Sequence, residues 1–272
     1  MYNYKQEKRK ILVGGYNMSK KIISLIIAAV LILSFGLVGC GGQTAKTAKV
    51  LKVGSEASFA PFEFQEEGSK EYTGFDMDLI RAIGKQMGYE VQIQNMGFDG
   101  LIPGLDSGTV DVAISAMTIT EERSKKISFS KPYYKSGLTI VVKNDNMTIK
   151  NFADLEGKKI AVQIGTTGAD EAKKVKNAQI REFNSAPEAF LELKAGGVDA
   201  VVNDKPVNDY YIAKAGGKDA KEIGEPLTAE EYGIATAKKN KELTELIDKA
   251  LAELQKNGEY EKIYLKWFGK KS

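Results

Sequence analysis

The sequence predicts an α/β protein of two lobes. Three observations lead there. Short β-rich runs alternate with segments of helical period, the pattern of sheets covered by helices. The alternation runs through twice, once before and once after the apolar run Leu138–Val142. A single cysteine in 272 residues leaves no disulfide, so packed layers must supply the stability, and the chain is long enough to bury a core.

The elements follow in order. Val50–Gly54 is a short strand. Phe75 to Met87 places apolar residues at 75, 79, 80, 83 and 87, a helical stripe, and Gly88 suits its C-terminal cap. Val91 and Ile93 alternate with Gln92 and Gln94 as a strand. Leu101–Leu105 is helical and Val110–Ile114 a strand. Thr120-Glu121-Glu122-Arg123 starts a helix, with a capping Thr and acids in the first turn. Asp76 and Asp78 read the same way, as first-turn acids complementing a helix dipole.

After Leu138–Val142 the pattern restarts. Asn151–Leu155 is a short helix, Lys159–Val162 a strand, and Thr166-Thr167-Gly168 a turn opening a helix. Gln179–Phe183 is a strand, Pro187–Lys194 a helix and Val198–Val202 a strand. Asp204 stands before a helix from Lys205, where Asp is a favoured cap. Tyr232–Ala237 is a strand, and Lys241–Gln255 and Glu259–Trp267 are helices. Such alternation implies parallel sheets with helices on both faces, and ligands gather at the carboxyl ends of their strands. Ser115–Arg123, Thr166–Thr167 and Asn203–Asp204 fall at such ends.

Ahead of these elements lies a leader. Met18-Ser19-Lys20-Lys21 is a small basic head, Ile22–Val38 is almost wholly apolar, and Leu37-Val38-Gly39-Cys40 ends on the one cysteine. A basic, apolar, small-residue succession is an export signal, removed on maturation. The other reading is an uncleaved anchor, since a membrane span needs ~18–20 apolar residues. The ending resembles the lipobox of bacterial lipoproteins, which implies cleavage after Gly39 and a lipid on the Cys40 thiol. Both readings put the remainder outside the cytoplasm. Met1–Asn17 precede a second candidate start at Met18. Residues 1–39 are then the signal peptide and 40–49 a lipid anchor and small, polar tether.

The net charge of +3 belongs to the leader. Residues 1–39 hold six Lys/Arg and one acid, leaving 33 basic and 35 acidic residues beyond, so nothing favours nucleic acid. Histidine is absent, which removes Ser-His-Asp and Cys-His catalysis and every His-ligated metal site. Ser128-Phe129-Ser130-Lys131 fits S-x-x-K, without the S-D-N or K-T-G that accompany it in enzymes. Phosphate and dinucleotide loops are missing, so no cofactor is expected.

Three segments then carry a family resemblance. Gly74-Phe75-Asp76-Met77-Asp78-Leu79, with Ile83-Gly84 and Met87, resembles the signature of polar-amino-acid-binding proteins of ABC importers. Ser115-Ala116-Met117-Thr118-Ile119-Thr120-Glu121-Glu122-Arg123 resembles their carboxylate-holding segment, and Gly258-Glu259-Tyr260 to Tyr264-Leu265-Lys266-Trp267-Phe268-Gly269 their tail. The resemblance implies a periplasmic-binding-protein-like fold of two closing lobes joined by two crossing strands, near Tyr133–Gly137 and Thr228–Tyr232. The first lobe is then discontinuous, residues 50–137 and 228–272, and the second is 138–227. It also implies an amino-acid ligand, a membrane permease as partner and a monomer.

By the same resemblance Arg123 holds the ligand's carboxylate, helped by Ser115, Ala116 and backbone amides near Thr118. The planar guanidinium suits that role, because it makes two charge-assisted bonds at once. Alternatively Arg123 pairs with Glu121 or Glu122 on the surface. Asp204 is the implied partner of the α-ammonium. Thr167 adds a polar contact from the second lobe, or is a turn residue beside Gly168. Phe59 and Phe98 are implied as aromatic walls, or else are plain core.

Charge addresses specificity. Arg123 and Asp204 serve the ligand's backbone, which leaves Glu56. In glutamine-binding relatives a lysine lies at the position of Gln163 and a histidine at that of Asn203; here both are neutral amides. A buried unpaired carboxylate is costly, and a cationic side chain offsets it, with Phe59 and Phe98 beside it. Arginine or lysine is therefore expected, with glutamine the alternative. An exported dehydratase-like enzyme on the same fold would need a positioned acid, for which Glu56 is the candidate. A sensor for a signalling partner would need a second hydrophobic span or a cytoplasmic output domain, and the sequence pattern leads to the expectation of neither.

Overall fold

The computed structural model describes residues 49–269; Cys40 and the leader lie outside the described residues. The first strand, β1 (Lys49–Ser55), leads into a small antiparallel sheet of β2 (Ser58–Phe59), β3 (Glu63–Gln65) and β4 (Tyr72–Thr73). Helix α1 (Phe75–Met87) follows, then β5 (Tyr89–Asn95), α2 (Leu101–Ser107), β6 (Val112–Ala113), α3 (Glu121–Lys126) and β7 (Ile127–Phe129). The chain then crosses through β8 (Tyr134–Ser136) to β9 (Leu138–Lys143). Next come β10 (Lys159–Gln163), α4 (Thr167–Lys173), β11 (Gln179–Phe183), α5 (Ala186–Ala195), β12 (Ala200–Asp204), α6 (Lys205–Tyr211) and β13 (Ala220–Ile223). It returns through β14 (Glu230–Tyr232) to β15 (Ala235–Ala237), α7 (Lys241–Lys256) and α8 (Glu259–Phe268).

Two five-stranded sheets result. One has the order β5-β1-β6-β15-β7, the other β11-β10-β12-β9-β13. The expectation of parallel sheets holds for only part of each. β5, β1 and β6 run parallel, as do β11, β10 and β12, whereas β15 lies antiparallel to β6 and β7, and β9 antiparallel to β12 and β13. The reason is connectivity. β9 and β15 each enter their sheet directly from a crossing segment, without the helical crossover that enforces parallel pairing.

Local chemistry explains the elements that were legible. Helix α1 buries Phe75, Met77, Leu79, Ile80 and Ile83 on its inner face and stops where Gly88 turns left-handed at φ 75°. Strand β9 is apolar in succession because it is interior to its sheet, with Leu138, Ile140, Val141 and Val142 all buried. Thr120 caps α3, its side chain accepting from the Arg123 backbone N–H at 3.1 Å.

The expected single strand Tyr232–Ala237 is two strands. Gly233 and Ile234 break it, because β14 pairs with β8 between the lobes while β15 belongs to the first sheet. β8 and β14 lie antiparallel, with Tyr134 opposite Tyr232 and Ser136 opposite Glu230. Just beyond, a Cβ at Gly137 would meet the Thr228 carbonyl oxygen at 2.2 Å, so the two crossing segments approach too closely for any side chain there. Phe62, fully buried, stacks its edges on Tyr134 at 4.9 Å and Tyr232 at 5.2 Å and ties the crossing pair to the first lobe.

Candidate functional site

A polar pocket opens between the two sheets beside the crossing pair. Glu56, Phe59, Phe98, Ser115, Ala116, Thr118 and Arg123 line it from the first sheet's side. Gln163, Thr167 and Asp204 line it from the second. All ten residues singled out in the sequence therefore reach one cavity. Glu63 and Thr166 also line it, and sequence reasoning missed both.

Arg123 is buried rather than paired with Glu121 or Glu122 on the surface. Its Nη1 donates to the Thr118 carbonyl at 2.8 Å, and its Nη2 donates across the cleft to the Gly165 carbonyl at 2.9 Å. The guanidinium also lies 5.3 Å from the centre of the Phe98 ring. Two of its five N–H donors are thus used, and the others remain for an anion. Burial lowers its pKa, while Asp170, Glu230 and Asp204 act against that shift. Phe98 is half-buried, whereas Phe59 is 5% exposed and serves both core and wall.

Glu56 is buried and held by neutral groups. Its Oε1 accepts from Ser58 Oγ at 2.5 Å, and its Oε2 accepts from Gln163 Nε2 at 3.2 Å, a bond that spans the cleft. Gln163 Nε2 donates as well to the Asn184 carbonyl at 3.1 Å, which fixes the amide's orientation. Desolvation raises the Glu56 pKa, and the Ser58 and Gln163 bonds partly offset it. Thr166 caps α4, its Oγ1 accepting from the Ala169 N–H at 3.1 Å, and this leaves Thr167 to face the pocket as the first helical residue.

The floor rests on a second pair of carboxyls. Ser115 Oγ donates to Glu63 Oε1 at 2.9 Å and accepts from the Glu56 N–H at 3.0 Å. Ala116 sits in left-handed backbone at φ 45°, a conformation costing a residue with a Cβ ~1–2 kcal/mol. Asp76 Oδ2 holds it there, accepting from the Ala116 N–H at 2.8 Å and from the Tyr133 hydroxyl at 2.7 Å. Asp76 is an acid in the first turn of α1, as expected, but it also supports the pocket floor, a role the sequence reading did not give it. It is fully buried, because the first turn of α1 faces the pocket floor. Asp78 is half-buried and accepts from Lys266 and Trp267 of α8. Burial lifts Asp76 to about 6, and burial with the neighbouring Asp76 charge lifts Glu63 well above the usual carboxylate range. Both causes favour the neutral form of Glu63 over the charged one.

Asp204 closes the far side. It is the last residue of β12 rather than a residue beyond the strand, and it makes no capping bond to α6. Its carboxylate turns instead to the crossing pair, with Oδ1 accepting from the Tyr232 hydroxyl at 2.6 Å. Asn203 does not line the pocket. Alternation along β12 sends its amide the other way, to Asn208 Oδ1 at 3.4 Å, so its neutrality says nothing about ligand charge. Gln163 carries that argument alone.

Residues 51–270 match the sequence profile of the bacterial extracellular solute-binding proteins, family 3. The arginine-binding extracellular protein ArtP of Bacillus subtilis (strain 168) is 35% identical over 256 residues, which cover 92% of this chain and 98% of that protein. The L-cystine-binding protein TcyJ of Escherichia coli (strain K12) is 33% identical over 246 residues, covering 90% and 91%. Structures of an ancestral arginine-binding protein bound to arginine and of one bound to glutamine align with TM-scores of 0.79 and 0.77. Each is 48% identical and covers 81% of this chain and 98% of its own.

Proposed function

This chain belongs to the bacterial extracellular solute-binding proteins, family 3, and from that premise we propose that it captures a basic amino acid, arginine or lysine, for delivery to an ABC permease. In this reading Arg123 takes the ligand's carboxylate and Asp204 its ammonium. Glu56 receives the side-chain cation, with Phe59 and Phe98 beside it. A lipid on Cys40 tethers the protein to the membrane's outer face. Mass spectrometry of the native protein tests that anchor: a cysteine-terminal, acylated chain is expected, and an unprocessed Met1 or Met18 terminus refutes it.

One observation carries the ligand assignment. Glu56 is a buried carboxylate whose partners, Ser58 and Gln163, are both neutral donors. Hydrogen bonds satisfy its lone pairs but leave its charge without a counter-ion, and a ligand guanidinium or ammonium supplies one. Glutamine is the second reading, favoured by the same geometry. Glu56 already accepts an amide N–H from Gln163, and a ligand amide can take that place.

Titrations of Glu56→Gln with arginine and glutamine in parallel separate the two, since specificity is a difference of affinities. Loss of a buried charge pair costs ~2–5 kcal/mol. Arginine should therefore weaken by at least about 30-fold, while glutamine changes little. An unchanged arginine-to-glutamine ratio, or a wild-type preference for glutamine, overturns the basic-ligand assignment.

A further inference from the structure

We propose that Asp204 and Glu230 share one proton in the ligand-free pocket, that capture of the ligand's ammonium expels it, and that Glu230 is thereby a positioning residue acting through Asp204. The inference rests on the reading that the pocket takes an amino acid by its α-ammonium.

The geometry comes from three parts of the chain. Asp204 ends β12 in the second lobe and Glu230 begins β14 in the crossing pair, and both are buried, at 5% and 6% exposure. Asp204 Oδ1 accepts from the Tyr232 hydroxyl at 2.6 Å, and Ser136 Oγ lies 3.3 Å from the same oxygen, so each crossing strand contributes a contact. Glu230 Oε2 accepts from Thr118 Oγ1 of the first lobe at 3.1 Å. Glu230 and Tyr232 are two residues apart on β14 and so share a face, and Ser136, opposite Glu230 in the crossing pair, contacts Asp204, which makes the two carboxyls buried neighbours. Two buried neighbouring carboxylates do not both ionise when no cation intervenes.

The surrounding charges agree. Arg123 on α3 is the cation that senses both carboxylates, and it is already engaged with the Thr118 and Gly165 carbonyls. Lys205 follows Asp204 in sequence, but its Nζ points to Asp209 and Glu222. Glu56 and Glu63 line the same pocket and add no positive charge. Tyr232, with its hydroxyl donated to Asp204, stays neutral because burial and that carboxylate raise it. Burial first, and the Glu230 charge second, hold the Asp204 carboxyl well above the usual range.

The step balances simply. On binding, the shared O–H bond breaks and its proton passes to solvent. The carboxylate left on Asp204 pairs with the incoming ammonium, so the pocket gains one positive charge and loses another. Affinity should then rise with pH, by up to about tenfold per pH unit below the raised ligand-free value of Asp204. The arrangement also ties occupancy to the crossing strands, because the group that changes charge is the one Tyr232 and Ser136 hold.

Calorimetry of the whole protein with L-arginine tests this. The titration is run at about pH 6.5, where the ligand's amine stays protonated, in two buffers of different ionisation heat. Wild type should release roughly one proton per arginine bound. Glu230→Gln keeps an acceptor for Thr118 and offers Asp204 a permanent N–H donor, so it should release clearly fewer protons than wild type and flatten the climb of affinity with pH. A purely structural role for Glu230 would lower affinity and leave the proton count unchanged. Arginine binding with equal heats in both buffers, or with wild-type proton release in Glu230→Gln, overturns the proposal alone. If Glu230→Gln does not fold, the wild-type count decides. Failure of every amino acid to bind overturns it together with the functional reading.

Discussion

Replacing Arg123 by alanine is expected to cost about 2–5 kcal/mol of ligand binding, roughly 30- to 5,000-fold in affinity. Two losses combine. The ligand's carboxylate is left in a closed cleft without its charged partner, and desolvation of an unpaired anion is the larger part. The bond from Nη2 to the Gly165 carbonyl also disappears, and with it one of the contacts that span the cleft. Arg123→Lys separates these contributions. Lysine restores the charge, but a single ammonium does not reproduce the planar fork that reaches both the Thr118 and Gly165 carbonyls. An intermediate affinity is therefore expected. Calorimetric titration decides, and a loss below fivefold for Arg123→Ala contradicts its role.

Asp204→Asn is expected to produce a loss of the same order, with the opposite effect on the empty protein. Asparagine retains an oxygen for the Tyr232 hydroxyl but removes the charge that meets an ammonium. Without ligand, that charge is a burden. The folded-state pKa of Asp204 is raised by burial and by Glu230, so the folded protein holds the proton more tightly than the unfolded chain does. Its contribution is complete below the ordinary aspartate value of ~3.9 and declines as pH rises through the raised value. The variant should therefore keep or gain thermal stability at neutral pH, with a flatter dependence on pH, while the ligand-induced rise in melting temperature largely disappears. Melting curves over a pH series, with and without arginine, check both halves. A variant that melts lower when empty yet retains the ligand shift refutes the assignment.

Sequence patterns were readable where an element was long enough to show a period. Helix α1 announced itself by five apolar residues and a terminal glycine, and its observed ends are Phe75 and Met87. Strands of two to four residues, such as β2, β4, β7 and β13, carry too few alternations to be seen. The pocket shows the same division. Asp204 lies at a recognisable strand end and Arg123 in the first turn of a recognisably capped helix. Glu63 sits in a three-residue strand whose fold-back toward Ser115 depends on the small sheet around it. Glu230 drew no reading of its own, because only the pairing of β14 with β8 brings it beside Thr118. Asn203 misled for the converse reason. It neighbours a pocket residue in sequence, and the pleat turns it away.

The position of β15 has a further consequence, for the order in which the chain can fold when it is delivered from its N-terminal end. β15 lies between β6 and β7, although more than a hundred residues of chain separate it from them. Until it arrives, β7 has no partner in its sheet, and the Tyr133 carbonyl and the Asp78 side chain lack their bonds from Tyr260, Lys266 and Trp267 of α8. The second sheet needs only the continuous stretch from β9 to β13 and has no such wait. The lobe that is begun first is thus finished last, and its half-built edge is the surface that must be shielded from other chains until β15 arrives.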